Sequence, residues 1–182
     1  YEYLELRQAK STTVQLNLFE QNLPLYSNKL GLVTGLGWWF NNYRFENNVV
    51  LSSDSAAIFG YKDQNNKYSK SKLTANYLVV PLMLEYQSDA KKGKTAFHVA
   101  AGGFAGVKLN SKTKIVYESN GNTQKVKTPA DFHLNQFKYG LTARVGWNKF
   151  NFFANYNMST LFKSNKGPEL YPVEVGITLL SF

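Results

Sequence analysis

The residues able to do chemistry in this sequence fall into two groups. Asp131 and His133 form an Asp-x-His pair in a polar segment, and Glu85, His98, Lys108, Lys138, Arg144 and Glu174 stand in segments of alternating polarity. The Asp-x-His pair is the beginning of an acid–base relay, but no serine is placed by the sequence to complete it. Cys is absent, which removes a thiolate nucleophile, thiolate metal ligation and disulfides together. The 12 acidic residues contain neither a spaced carboxylate pair nor a His-Glu-x-x-His motif. No catalytic residue, cofactor or metal ligand is therefore assigned, and a non-enzymatic protein is expected.

The second group is defined by the elements that carry it. Tyr77 to Tyr86 reads Tyr-Leu-Val-Val-Pro-Leu-Met-Leu-Glu-Tyr. That is too short for a membrane helix of about 20 residues, but it matches the roughly 9 to 11 that a tilted membrane strand needs. Leu78, Val80, Leu82, Leu84 and Tyr86 share one face of such a strand, and Tyr77, Val79, Pro81, Met83 and Glu85 the other. The alternation recurs in Thr12 to Phe19, from Leu30 to Phe40, in Thr95 to Leu109, in Phe137 to Trp147, from Phe150 to Met158 and in Tyr171 to Phe182. Leu4 and Leu6 keep the phase of Val14, so the first of these begins upstream of Thr12. The less apolar faces are rich in Gly and Ala, which suits a narrow interior.

Connections alternate in length. Leu23 to Asn28, Ser88 to Lys94 and Asn148-Lys149 are short, whereas about Glu46 to Ser71, Asn110 to Gln136 and Lys163 to Glu169 are longer and polar. Short turns on one side and long loops on the other describe an antiparallel transmembrane β-barrel of the outer membrane, formed by residues 1–182 as one domain. A soluble lipocalin-like barrel would reverse the faces; Gly and Ala line a ligand cavity poorly, and aromatic residues end the apolar faces. Trp38, Tyr43, Tyr86, Phe97, Trp147 and Phe150 are assigned to aromatic girdles, and Pro81, in mid-strand, to a bulge. Seven long strands are visible and an even number is expected, so the barrel is read as eight-stranded. The eighth is either Tyr1 to Gln8 or, preferably, a strand upstream of Tyr1.

On this pattern Glu85, His98 and Arg144 point inward close to the short turns and meet in one layer, with Lys108, Lys138 and Glu174 higher. An eight-stranded interior is just wide enough for side chains to fill, so its charges must pair. One reading is a salt-bridged plug; the other is a gated proton or ion path with Arg144 as the gate.

The net charge is +9, gathered in loops at Lys62, Lys67, Lys70 and Lys72 and at Lys112, Lys114, Lys125 and Lys127. These clusters are either solvated loops or attracted to the phosphates of a lipid surface. They form no single stripe, and no nucleic-acid partner is assigned.

Leu30-Gly-Leu-Val-Thr-Gly-Leu-Gly37, Asn42-Tyr-Arg-Phe-Glu-Asn47, Tyr77 to Tyr86, His98-Val-Ala-Ala-Gly-Gly103 and Gly167-Pro-Glu-Leu-Tyr-Pro172 resemble the PorT-like outer-membrane β-barrel proteins of Bacteroidota. The resemblance spans nearly the whole chain and implies a bacterial outer-membrane location, with a strand preceding the segment Tyr3 to Leu6. Lipid including lipopolysaccharide and other envelope proteins are the expected partners. The expected role is scaffold or accessory subunit of an envelope complex; the alternatives are a narrow pore and recognition or adhesion through the long loops.

Overall fold

The structure, a computed structural model, describes residues 11–26, 29–45, 49–54, 56–62, 68–88, 97–119, 122–147 and 150–179. Ten strands are found among them: β1 (Thr12–Tyr26), β2 (Leu30–Arg44), β3 (Val49–Ser53), β4 (Ile58–Lys62), β5 (Tyr68–Gln87), β6 (Phe97–Ser119), β7 (Asn122–Pro129), β8 (Phe137–Trp147), β9 (Phe150–Asn157) and β10 (Val173–Leu179).

Seven of them follow one another around the molecule in the order β1, β2, β5, β6, β8, β9, β10, each antiparallel to the next. The antiparallel sheet is not closed. Its margins β1 and β10 run parallel and, among the described residues, meet at Gln15↔Thr178 and Leu16↔Leu179. The eighth strand expected from the sequence, Tyr1 to Gln8 or a segment before it, lies outside the described residues.

Alternation is strictest in β8. Phe137, Tyr139, Leu141, Val145 and Trp147 are exposed, and Lys138, Gly140, Thr142, Arg144 and Gly146 are buried. The pleat turns successive side chains to opposite faces, so a two-residue period is enough to build an apolar outer wall. In β5 the wall residues Val80, Leu82 and Leu84 are 49, 54 and 53 % exposed while Val79 and Met83 are at most 1 % exposed, which settles which face is inside. Space inside comes from small residues beside large ones: a Cβ on Gly176 would lie 2.9 Å from the Phe153 ring.

Four sequence expectations change. Leu23 to Tyr26 extend β1 instead of forming a turn, because β2 offers partners as far as Leu30. The segment 46–71 is not one loop: it holds the hairpin β3–β4 and the start of β5. Pro81 makes no bulge. Its register with β6 is unbroken at Pro81↔Phe104, and the ladder to β2 passes from Thr34↔Leu82 to Gly37↔Val79 with no pairs between. The missing N–H is thus absorbed by two absent ladder pairs beside Gly35, and Thr34 Oγ1 donates to the Pro81 carbonyl at 3.0 Å. Tyr43 is only 5 % exposed and points inward, because it shares the parity of Trp39 and Asn41.

The polar segment 110–136 is largely strand. β6 runs on to Ser119 and returns as β7, every residue of which is exposed. Above the wall, β3–β4 packs with residues 130–136 and 159–171 as a cap. Phe45, Val49, Leu51, Ile58, Phe132, Leu134, Leu161 and Phe162 join Trp39, Tyr77, Val79 and Phe104 of the interior in one apolar cluster.

Candidate functional site

The inward chemistry is arranged in three tiers, beginning at the short-turn end. Register sets Glu85, Ala100 and Arg144 level on β5, β6 and β8, so Glu85 and Arg144 flank one small residue. They do not pair. Arg144 Nη1 donates to Glu20 Oε2 at 2.6 Å, and Glu85 accepts from Asn22 Nδ2 at 2.7 Å and from Gln87 Nε2 at 2.5 Å. His98, one step nearer the turns, lies over Gly146, where a Cβ would collide with the imidazole. The expected layer of Glu85, His98 and Arg144 is therefore three separate arrangements, and its main ion pair uses a residue the sequence reading did not assign.

Glu20 shares the sequence parity of Val14, Leu16 and Leu18, which face outward. β1 shifts register between Asn17↔Gly37 and Phe19↔Leu36, so Leu18 is an extra residue. A bulge of this kind re-aims the side chains on its far side. Past Leu18, Glu20 and Asn22 turn inward while Phe19 and Leu23 stay exposed. The adjacent apolar pair Leu18-Phe19, both outward, is the signal in the sequence that marks this break.

In the middle tier Lys138 Nζ donates to Glu174 Oε1 at 2.6 Å, with both side chains at most 5 % exposed. Glu174 is a hub. It also accepts from the amide of Asn41, from Asn157 Nδ2 at 3.3 Å, and from Tyr43 Oη and Asn155 Nδ2 at 3.5 Å each. Lys138 Nζ stands 5.1 Å from the Tyr77 ring centre and 5.3 Å from that of Trp39, within reach of a cation–π attraction. Two charges enclosed in a low-dielectric interior are tolerable only with this density of partners.

The upper tier joins interior to cap. Lys108 Nζ binds the Asp131 carboxylate and donates to the Leu134 carbonyl at 3.1 Å, and Lys163 Nζ reaches Asp131 Oδ2 at 2.9 Å. Burial raises the Asp131 pKa, but the hydrogen bonds from Lys108 and then Lys163 outweigh it and hold the carboxyl below its ordinary value. The Asp-x-His pair is split: His133 Nε2 contacts the Asp54 carbonyl at 2.7 Å, away from Asp131. Phe132 and His133 both have left-handed backbone, with φ of 51° and 48°, which turns the two side chains to different partners. Lys108, Lys138 and Glu174 lie in the upper part of the interior as their positions implied, but in two clusters.

Among the aromatic positions, Tyr86, Phe97 and Trp147 are exposed on the outer wall at its short-turn end, and Trp38 is half-buried on the outer face, stacked on Phe40 at 4.8 Å. Tyr43 belongs to the middle tier instead. The Phe150 side chain lies outside the described ones. The connection Asn148-Lys149 is likewise outside, although Trp147↔Phe150 pairing requires that two residues span it.

No curated protein and no solved structure matches the chain. The family model described as outer membrane protein beta-barrel domain matches residues 12–162. That span takes in β1 to β9, the apolar wall and most of the inward charges, and the wall has the two-residue period such barrels use to face lipid. The chain thus belongs to the outer membrane protein beta-barrel domain family, and is an integral protein of the outer membrane.

Proposed function

We propose that this protein is a non-enzymatic, non-conducting barrel that serves as a scaffold or accessory subunit of an envelope protein complex. The observation that carries the reading is the filled interior. The ionic tiers and the aromatic residues Trp39, Tyr77 and Phe104 occupy the lumen, and the apolar cluster continues without a break into the cap. A lumen closed in this way leaves the outer wall and the external surface as the working parts. The PorT-like kinship indicated by the sequence motifs, and its Bacteroidota source, belong to the same proposal.

An eighth strand belongs to it too. Neighbours in an antiparallel ring alternate in direction, so two parallel neighbours require one strand between them. In this reading chain N-terminal to Thr12 supplies that strand and takes the place of the two-pair parallel contact between β1 and β10.

The decisive experiment is purification of the tagged protein from its native membranes in mild detergent. A defined larger complex that survives a salt wash is the expected result. A lone species with the mass of a single copy and its micelle overturns the scaffold reading. Recognition through the external surface is the second reading, favoured by Phe59 and Tyr61, which stand exposed on one face of the cap hairpin. It predicts that replacing both with Ser abolishes ligand binding while the barrel still folds.

A further inference from the structure

Beyond the lipid-facing wall β5, β6 and β7 continue as a sheet whose outward face carries a row of cations. Arg44↔Lys72, Lys72↔Lys114 and Lys114↔Lys127 are each in direct register, which sets four positive residues side by side on four adjacent strands. Adjacent strands lie about 4.8 Å apart, and like charges directly opposite one another destabilise a sheet. Lys70 and Lys125, both opposite Val116, stand one step farther out on the same face, and Lys112, opposite Thr74, one step nearer the wall.

These charges have little to offset them. Arg44 Nη2 donates to the Ser69 carbonyl at 2.9 Å and Lys72 Nζ to Asn42 Oδ1 at 2.5 Å, both neutral acceptors. Among the described residues no salt bridge involves Lys70, Lys72, Lys112, Lys114, Lys125 or Lys127. The carboxylate on the same face, Glu118, sits at the outer tip opposite Thr123. Burial and then the neighbouring Lys70, Lys114, Lys112 and Arg44 lower the Lys72 pKa; desolvation and then Lys127, Lys70, Lys125 and Lys112 lower that of Lys114. A repulsive array kept on a fold is explained by an anion that neutralises it.

Position identifies the source of that anion. On β5 the same outward face carries Leu78, Val80, Leu82 and Leu84, and it turns polar at Asn76, whose amide donates to Asn110 Oδ1 at 2.8 Å. Four residues at about 3.3 Å each, on a strand tilted about 45°, place Lys72 about 9 Å above that boundary. That is headgroup depth, within reach of a lysine that extends its amine along the wall. We infer that Arg44, Lys72, Lys112, Lys114 and Lys127 form a binding site for the phosphates of phosphorylated glycolipid headgroups in the outer leaflet. The site rests on the reading that the β5–β6–β7 sheet lies on the external side of the membrane.

The test compares retention of bis-phosphorylated lipid A, and of the same lipid after removal of both phosphates, by the full-length protein in detergent, measured by native mass spectrometry. The phosphorylated form is expected to be retained at least about tenfold better. The triple variant Lys112→Gln, Lys114→Gln, Lys127→Gln should lose that preference, and the corresponding Lys→Arg triple should keep it. Equal retention of the two lipids by the unmodified protein overturns the site without any variant having to fold. An unchanged preference in the glutamine triple, or full displacement by inorganic phosphate, does the same. Thr123→Cys adds a lone thiol for a membrane-impermeant maleimide in intact cells. Labelling is expected; its absence overturns the external placement along with the site, whereas labelling without lipid preference overturns the site alone.

Discussion

Arg144 and Glu20, 124 positions apart, form a 2.6 Å ion pair inside the barrel, and the pair exists because Leu18 is one residue more than the β1–β2 register needs. Were Leu18 held in a regular ladder instead of bulged, Glu20 would face the apolar exterior with Val14 and Leu16.

Deleting Leu18 should therefore be tolerated, because Phe19 then follows Asn17 in regular alternation and Glu20 still points inward at Arg144. Inserting an Ala between Phe19 and Glu20 should be far more harmful, since it turns Glu20 toward lipid and strips Arg144 of its partner. Assembly into the membrane, followed by the heat-dependent shift in gel mobility, should persist for the deletion and fail for the insertion.

Arg144→Ala should lower thermal stability by about 3 kcal/mol, the low end for breaking a buried pair, because Glu20 keeps some contact with water. The double replacement Arg144→Met, Glu20→Leu should recover most of that loss. Thermal unfolding in detergent measures both. A gain of bilayer conductance in Arg144→Ala at full stability would instead favour Arg144 as a gate.

Lys138 and Glu174 should not be equivalent. Lys138→Met leaves Glu174 its amide and phenol donors, and should cost about 1 to 2 kcal/mol. Glu174→Leu leaves a buried ammonium whose rings at Trp39 and Tyr77 offset only part of the loss, about 3 to 5 kcal/mol. The order of the two unfolding midpoints checks this.

The cap should respond to acid. Hydrogen bonds from the backbone amides of Ala57 and then Ala56 hold the Asp54 carboxyl below its ordinary value. A depressed folded pKa stabilises the turn above the unfolded value, and that contribution disappears as pH falls through the folded one. The protection factors of the Ala56 and Ala57 amides, relative to intrinsic exchange at the same pH, should fall over that acidic range, and Asp54→Ala should remove the dependence.

The β1–β10 seam can be probed with a chain that has no native Cys. With an eighth strand between them, Leu16 and Leu179 stand two strand spacings apart, about 9 to 10 Å. That exceeds the span of about 7 Å that a disulfide can bridge, so the pair Leu16→Cys, Leu179→Cys should stay reduced. Efficient cross-linking would mean that the parallel seam is the finished structure.

The amino-acid sequence by itself determined the wall of this protein. A strand's side-chain period is two whatever its neighbours are, so Leu82 and Leu84 could be assigned outward, and Lys138 and Arg144 inward, from spacing alone. The same rule, applied strictly, also placed Tyr43 inside; its assignment to a girdle followed the aromatic run rather than the parity. Partner choice was decided only by the tertiary structure, because register and bulges determine who meets whom. Glu85 and Arg144 lie level but bind different residues, and a single bulge at Leu18 turns Glu20 inward against its sequence parity. The cap was hidden for a related reason. Ile58, Phe132, Leu134, Leu161 and Phe162 come from three separate connections between strands, too dispersed to show a period, and become a core only when the fold brings those connections together above the barrel.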